Sequence, residues 1–309
     1  MNYVRKSLAV VLLLALSLSR PTAATAGSQI AVAVSSNAPA FEEAVAAFRI
    51  ALGEDGALVF FVPLDNKEPA KSLFAGAERP RAAVAFGSRA FEAFASADPA
   101  VPLVVSMVLS TDSAGGARPQ QRFLTVSLSV SPTLMLPKLR SAFPNRKKLA
   151  VLVSPGSSSL RTELSAVAQR FGYTLEIIEC ATPRDVLETF AALRGRVDFV
   201  WCLPDNILFP SAAIPPIILA SIRNQLPVIG FSEGLVRAGA AVGFYPDYAD
   251  IGAQTAEMVK RVLAKQEIPH VETPRKVRMA VNDRVLRILG IERANLSKPD
   301  PSNEVLVIH

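Results

Sequence analysis

Short apolar runs alternate with amphipathic segments along most of the chain. Residues 30–34 form a β-branched and alanine-rich run, and apolar side chains then recur at helical spacing from Phe41 to Leu52. Further apolar runs lie at residues 58–62, 82–86 and 101–106. Buried parallel strands are continuous apolar runs, and the helices between them cover both faces of the sheet. The first half of the chain therefore predicts a doubly wound α/β domain.

The same order of elements returns in the second half. A polar stretch at residues 110–119 interrupts the pattern, and a long helix is predicted at residues 248–265. Between them, strands are predicted at residues 148–153, 174–178, 197–203, 227–230 and 240–245. The pattern predicts two similar Rossmann-like lobes with parallel sheets.

The lobe boundaries follow from where each repeat begins and ends. We expect a first lobe at residues 27–130 and a second lobe at residues 131–269. One more strand and helix, within residues 270–293, are predicted to pack back on the first lobe. A chain that crosses between lobes more than once suits a hinge. Residues 294–309, with Pro299 and Pro301, are predicted to be a flexible tail.

The first 26 residues have the pattern of a secretory signal. Arg5 and Lys6 precede an apolar run at residues 8–18, and Ala24-Thr25-Ala26 is a small-residue cleavage site. A membrane anchor is the alternative, but Arg20-Pro21 ends the run before the roughly 20 residues that a spanning helix needs. We therefore expect a cleaved signal peptide at residues 1–26 and a periplasmic protein.

The net charge of the chain and the motifs that it lacks argue against several classes of function. The formal charge is +6, and loss of the leader, with three cations and no carboxylate, leaves +3, which is too mild to favour a nucleic-acid partner. The chain has no phosphate loop, dinucleotide fingerprint or metal-ligand spacing. We therefore expect no cofactor and no metal.

Polar residues follow several predicted strands. In open parallel sheets, ligands bind beyond the carboxyl ends of the strands, and helix N-termini there favour carboxylate groups. Each such residue has an alternative role as a helix cap. These strand-end residues include Asn37, Ser88, Ser158, Asp205, Asn206 and Asp247.

Gly230-Phe231-Ser232-Glu233-Gly234 is a G-x-S-x-G string between a strand and a helix. That setting is typical of a hydrolase nucleophile elbow, with Ser232 as the nucleophile. The mature chain offers His270 and His309 as bases, but no glycine-rich oxyanion loop follows an early strand. We therefore interpret Ser232 as a capping or binding serine, and we expect that the protein is not an enzyme.

Several strings together resemble the ABC transporter substrate-binding family with the type I periplasmic binding fold, in the branch with binders of aromatic amino acids. They include Pro39-Ala40-Phe41-Glu42, Asp205-Asn206, Leu226-Pro227-Val228-Ile229-Gly230 and the run from Tyr245 to Gly252. The resemblance implies a ligand held between two lobes and handed to an inner-membrane permease with its ATPase. It also implies a monomer, and binding roles for Phe41 and the six candidates above.

Two alternatives stay open beside transport. The same clamshell could present a ligand to a membrane sensor, or could have lost ligand binding. The first half departs from the family pattern at Ser35-Ser36-Asn37 and before Phe123, which leaves the ligand's identity open. A small zwitterion is expected, with its ammonium at Asp205 or Asp247, while no arginine follows a matching strand.

Overall fold

A computed structural model describes residues 30–53, 59–61, 74, 80–97, 101–109, 123–156, 158–294 and 305–309. The predicted signal peptide and the polar stretch at residues 110–119 lie outside these residues. No helix within the described ranges is long and apolar enough to cross a membrane.

The described residues form strands and helices that alternate along the chain. The strands are β1 Ile30–Val34, β2 Val59–Phe61, β3 Ala82–Phe86, β4 Leu103–Val108, β5 Phe123–Ser127, β6 Lys148–Val153, β7 Thr174–Glu179, β8 Phe199–Cys202, β9 Val228–Gly230, β10 Val242–Pro246, β11 Val271–Glu272, β12 Val277–Asn282 and β13 Val305–Ile308. The helices are α1 Pro39–Leu52, α2 Ser88–Ser96, α3 Pro132–Ala142, α4 Ser158–Arg170, α5 Pro183–Leu193, α6 Ile214–Arg223, α7 Glu233–Arg237, α8 Tyr248–Leu263 and α9 Asp283–Ile288. A short 3-10 turn, Ser211–Ala213, precedes α6.

The first lobe is built on a parallel sheet with strand order β2-β1-β3-β4-β5-β11. Strands β1, β3 and β4 are almost entirely buried in this sheet, as expected when helices cover both faces. Helix α8 packs closely on α1 in this lobe, and a Cβ added to Gly252 of α8 would lie 2.0 Å from the carbonyl oxygen of Ala44. Only glycine at this position allows the two helix backbones to approach so closely.

The second lobe is built on a sheet with order β7-β6-β8-β9-β10-β12-β13. Strands β6 to β10 are parallel to their neighbours, whereas β12 is antiparallel to β10 and β13 is parallel to β12. The predicted fold of two doubly wound α/β lobes is confirmed, and both sheets have the 2-1-3-4-5 order of that fold.

The strand order of the second sheet separates the two cysteines of the chain. Strand β6 lies between β7 and β8, so Cys180 and Cys202 lie on either side of it. Both cysteines are free and buried. Burial raises the pKa of each thiol.

Three lobe boundaries differ from the expectation. Strand β12, expected in the first lobe, pairs with β10 along five residues of the second sheet, whereas only the two-residue β11 extends the first sheet. Helix α8, expected in the second lobe, packs its buried face into the first. The predicted flexible tail contains β13, whose apolar residues pair with β12 and extend the second sheet. In each case apolar side chains of the segment pack against the core of the lobe that it joins.

The chain crosses between the lobes three times. The crossovers are residues 128–131 after β5, Asp247 after β10, and residues 273–276 after β11. The last two run side by side, because the Asp247 N–H donates to the Lys276 carbonyl at 3.1 Å. The buried side chain of Gln254 donates to the Thr273 carbonyl and accepts from the Arg275 N–H, which ties the third crossover to α8.

Candidate ligand-binding cleft

The carboxyl ends of β1 and β3 meet at the edge of the first lobe. The Ser35 hydroxyl, just after β1, accepts a hydrogen bond of 2.9 Å from the Ala90 N–H in the first turn of α2. Gly87 lies under this contact with a φ of +90°, and an added Cβ would lie 2.6 Å from Ser35 Oγ and 2.8 Å from Phe41 Cε1. Glycine is needed there both for its backbone conformation and for space.

Two of the predicted residues line one cavity on this edge. The cavity measures about 400 Å³, and Asn37 and Phe41 contribute to it together with one face of α1 that ends at Arg49. Asn37 is exposed and Phe41 is half-buried. The volume falls within the roughly 300–1,000 Å³ typical of small-molecule pockets, but the described lining belongs to the first lobe alone.

The predicted serines lie at helix starts. Ser88 is the exposed first residue of α2, and the hydroxyl that caps this helix belongs to Ser35 instead. The predicted role of Ser88 as a binding group therefore stays a prediction, whereas its capping alternative is taken by another residue. Ser158 begins α4, and its side chain lies outside the described residues.

Asp205 and Asn206 follow β8 at the edge of the second lobe. Oδ1 of Asp205 accepts the N–H groups of Ile207 at 2.7 Å and Leu208 at 2.9 Å, so the carboxylate holds the turn together. This is the capping role that the sequence offered as an alternative. Asn206 is exposed at the tip of the same turn, beside the 59% exposed side chain of Ile207.

Asp247 takes part in an ion-pair network between the lobes. Its Oδ1 caps α8 by accepting from the Asp250 N–H at 2.9 Å, and its Oδ2 accepts from Nε of Arg278 at 3.0 Å. Arg278 also donates from Nη1 to Oε2 of Glu43 at 3.2 Å and from Nη2 to Oε1 of the same carboxylate. Glu43 belongs to α1 of the first lobe and Arg278 to β12 of the second.

Two tyrosines lie against this network. The rings of Tyr245 and Tyr248 stack with centroids 6.0 Å apart, and Tyr248 packs against the cores of both lobes. Burial, followed by the negative charge of Glu233, raises the pKa of both phenols. Partial burial alone would lower the pKa of Arg278, but its bonds to the two carboxylates outweigh that effect and raise it.

Arg278 and Glu43 are the residues that sequence reasoning missed. The strand-end candidates from the sequence follow parallel strands, whereas β12 is antiparallel to β10, so its first residues lie at the edge where strands β6 to β10 end. Tyr245 near the end of β10 is accordingly paired with Arg278 at the start of β12. A single arginine inside the apolar string Val277-Arg278-Met279-Ala280-Val281 was the available signal.

The structure assigns Ser232 to a structural role. Its hydroxyl accepts from the Leu235 N–H at 3.2 Å and caps α7. His270 is exposed beside β11 of the first sheet, and its carbonyl accepts from the Thr125 N–H. His309 follows β13, whose end aligns with Asn282 at the edge of the second sheet away from Ser232. The described residues therefore do not bring either histidine to Ser232.

Most of the chain matches a known sequence family. The family described as ABC transporter substrate binding protein matches residues 74–298. A search of well-characterised protein sequences found no match.

Solved structures share the fold at low sequence identity. A ligand-free, open substrate-binding protein with adhesive properties from Clostridium difficile aligns over 91% of this chain and 99% of its own, with 20% identity and a TM-score of 0.63. An ABC domain from Streptococcus pneumoniae in complex with L-Trp aligns over 91% and 100%, with 19% identity and a TM-score of 0.57. A conserved domain protein from Vibrio cholerae aligns over 90% and 98%, with 21% identity and a TM-score of 0.56.

Proposed function

The chain belongs to the family of ABC transporter substrate-binding proteins, and we propose that it captures a small zwitterion, most simply an amino acid, between its two lobes. After export through the leader at residues 1–26, it would deliver this ligand in the periplasm to an ABC permease and its ATPase. One chain is sufficient for capture, because both lobes belong to it. We therefore expect a monomer without a cofactor.

One observation carries the proposal. The polar residues that follow strands of both sheets lie on the edges from which the crossovers leave, so both lobes offer hydrogen-bonding groups on the side where they are joined. A ligand bound there would contact both lobes and favour their closure. The L-Trp complex of the Streptococcus pneumoniae protein supports an amino acid as the class of ligand.

The charges favour a ligand with an ammonium group. Glu43 and Asp247 carry two negative charges against the single guanidinium of Arg278, which leaves a negative excess between the lobes. Oδ1 of Asp205 is bonded within its turn, whereas Oδ2 receives no hydrogen bond from a described residue. We propose Asp205 as the first contact of the ammonium and Asp247 as the second.

The ligand's carboxylate would be held by backbone N–H groups and hydroxyls. The first turns of α2 and α4, at Ser88 and Ser158, lie at the carboxyl ends of β3 and β6. Helix N-termini favour anions because their first N–H groups have no partner within the helix and the helix dipole is positive there. Phe41, Asn37 and Asn206 would then contact the remainder of the ligand.

A thermal-shift screen tests the function. The mature protein is heated with each of the standard amino acids, and with ribose and glucose as neutral controls. At 100 times the dissociation constant, a ligand that binds only the folded state adds about 2.7 kcal/mol to the free energy of unfolding. We expect an amino acid to raise the melting temperature and the sugars to leave it unchanged. If no amino acid does so, the proposal fails, and a receptor that has lost ligand binding becomes the better interpretation.

Conservative variants test the site. In Asp205→Asn, the amide oxygen still accepts from Ile207 and Leu208, so the turn is kept and the charge is lost. Loss of a charge-assisted contact worth roughly 1.5–3 kcal/mol should weaken binding of the amino acid from the screen by about 10- to 150-fold. The matched control is Asp198→Asn, because the Asp198 carboxylate accepts from the N–H groups of Lys147 and Lys148 at the opposite, amino edge of the same sheet. Equal affinity in Asp205→Asn and wild type would show that the ammonium binds elsewhere.

A further inference from the structure

The network around Arg278 joins parts of the chain that move with different lobes. Glu43 is anchored in α1, which packs on the first sheet through Ala44 and Phe48. Arg278 is anchored in β12, in the second sheet. A displacement of about 1 Å between the lobes would take their atoms beyond hydrogen-bond distance. The pair therefore exists only while the lobes are close together.

We propose that Arg278 is a positioning residue that holds the two lobes together through Glu43 before any ligand binds. The proposal rests on the proposed function in one respect, because a clamshell that is already close to its closed form captures its ligand more tightly. A protein whose binding-competent state is only partly populated binds with an affinity reduced by that fraction.

The geometry makes this pair stronger than an ordinary surface ion pair. Arg278 meets Glu43 with two parallel hydrogen bonds, and the two side chains are only 31% and 35% exposed. The bond from Nε of Arg278 to Asp247 orders the guanidinium from the opposite side. An arginine that is already ordered loses less conformational entropy when it binds a second carboxylate.

The surroundings of the pair suit a contact that can break. Tyr248 packs against both cores next to the network, and Asp247 lies in the crossover itself, so these two residues keep Arg278 in place when the lobes separate. Glu43 is half-buried rather than enclosed, and its carboxylate can be solvated after separation. Opening therefore leaves no unpaired buried charge, which would otherwise make it costly.

The test uses the mature protein without ligand, and small-angle X-ray scattering measures its radius of gyration. Glu43→Gln removes the negative charge and one of the two parallel hydrogen bonds between the lobes, but leaves Arg278 paired with Asp247. We expect a larger radius of gyration, with the ratio of closed to open molecules lowered about fivefold. Arg278→Gln should give the same change. The variant with both substitutions should show no further increase in the radius of gyration, because each single substitution already weakens the same contact.

Salt and a control variant separate this contact from general effects of charge. Between about 0.01 M and about 1 M salt the Debye length falls from about 30 Å to about 3 Å, so the wild type should open with added salt while Glu43→Gln stays constant. Glu176→Gln removes an ion pair of 2.7 Å with Arg196 inside the second lobe and should behave as wild type. Thermal unfolding of each variant confirms that it is folded.

Two results would overturn the proposal. One is an unchanged radius of gyration in Glu43→Gln at low salt. The other is an equal change in Glu176→Gln, which would attribute the effect to net charge. Because no ligand is used, both results are independent of whether an amino acid binds, and a failed ligand screen would leave this test intact.

Discussion

The edges of the two lobes are built differently, although their sheets share one strand order. In the first sheet the position beside the fifth strand of the shared order is taken by the two-residue parallel strand β11. In the second sheet it is taken by the six-residue antiparallel strand β12, followed by β13. Antiparallel pairing with β10 places the start of β12, with Arg278, at the edge where strands β6 to β10 end. The second sheet thus brings a cation, Arg278, to the contact between the lobes.

The two edges also use their polar side chains differently. At the first edge, Ser35 follows β1 and caps α2, a helix of the same lobe that follows the neighbouring strand β3. At the second edge, Asp247 caps α8, a helix of the other lobe, and also binds Arg278. Strand-end residues of the first lobe therefore stabilise that lobe, whereas those next to the crossovers stabilise the contact between lobes.

The largest expected effect concerns the helix pair of the first lobe. In Gly252→Ala the added Cβ would lie 2.0 Å from the Ala44 carbonyl oxygen, so α1 and α8 must separate. We expect a loss of about 3 kcal/mol in the free energy of unfolding, measured by urea titration, because overpacking at backbone cannot relax by rotamer changes. Gly234→Ala is the control, since a Cβ there would meet only Ser232 Oγ at 3.8 Å.

Hydrogen exchange of Gly252→Ala sharpens the comparison of the lobes. Faster exchange should appear in β1, β3 and α1, and exchange in β6 and β8 should be unchanged. Faster exchange confined to the second lobe would contradict the assignment of α8 to the first.

The next effect concerns which serine stabilises α2. Ser35→Ala removes the hydroxyl that accepts from the Ala90 N–H and should cost about 1 kcal/mol of stability. Ser88→Ala removes an exposed hydroxyl without a capping role and should change stability by less than about 0.5 kcal/mol. Thermal unfolding of the two variants distinguishes them, and the reverse order of effects would show that Ser88 is the cap.

The smallest effect is a pH dependence confined to the second lobe and the crossovers. Burial raises the pKa of Tyr245 above its ordinary 10.0, so above that pH the folded state binds more protons than the unfolded state. The stability due to this difference is complete below pH 10 and is lost as the pH rises further. One such group should cost about 0.8 kcal/mol by pH 10.5.

Tyr245→Phe supplies the comparison for this pH effect. Urea titrations of wild type and variant at about pH 8 and pH 10.5 should show a smaller loss of stability in the variant. An equal loss in both proteins would place the responsible groups elsewhere, for example at Cys202 or Tyr173, whose pKa values are also raised by burial.

The sequence predicted most of the fold because continuous apolar runs are specific for buried parallel strands. It could not predict the partner of β12, because Val277–Asn282 has the same apolar pattern whichever sheet it joins. The short apolar run at Val305–Ile308 was concealed by the prolines before it. Pairing depends on distant edges of sheets, which local periodicity does not encode.

The sequence also predicted only part of the candidate site. Asp205 and Asp247 were found because they follow parallel strands, but the structure also gives each a capping bond. Arg278 and Glu43 were not found, because one lies at the start of an antiparallel strand and the other lies within a helix. Their contact spans 235 positions of sequence and depends on how the lobes meet.

Hydrogen exchange with and without the amino acid that gives the largest thermal shift tests ligand capture between the lobes most directly. We expect added protection on both edges: in the loops after β1 and β3 of the first lobe, and in those after β8 and β10 of the second. Protection confined to residues 34–49, around the first-lobe cavity, would contradict it, because the ligand would then bind one lobe without bringing in the other.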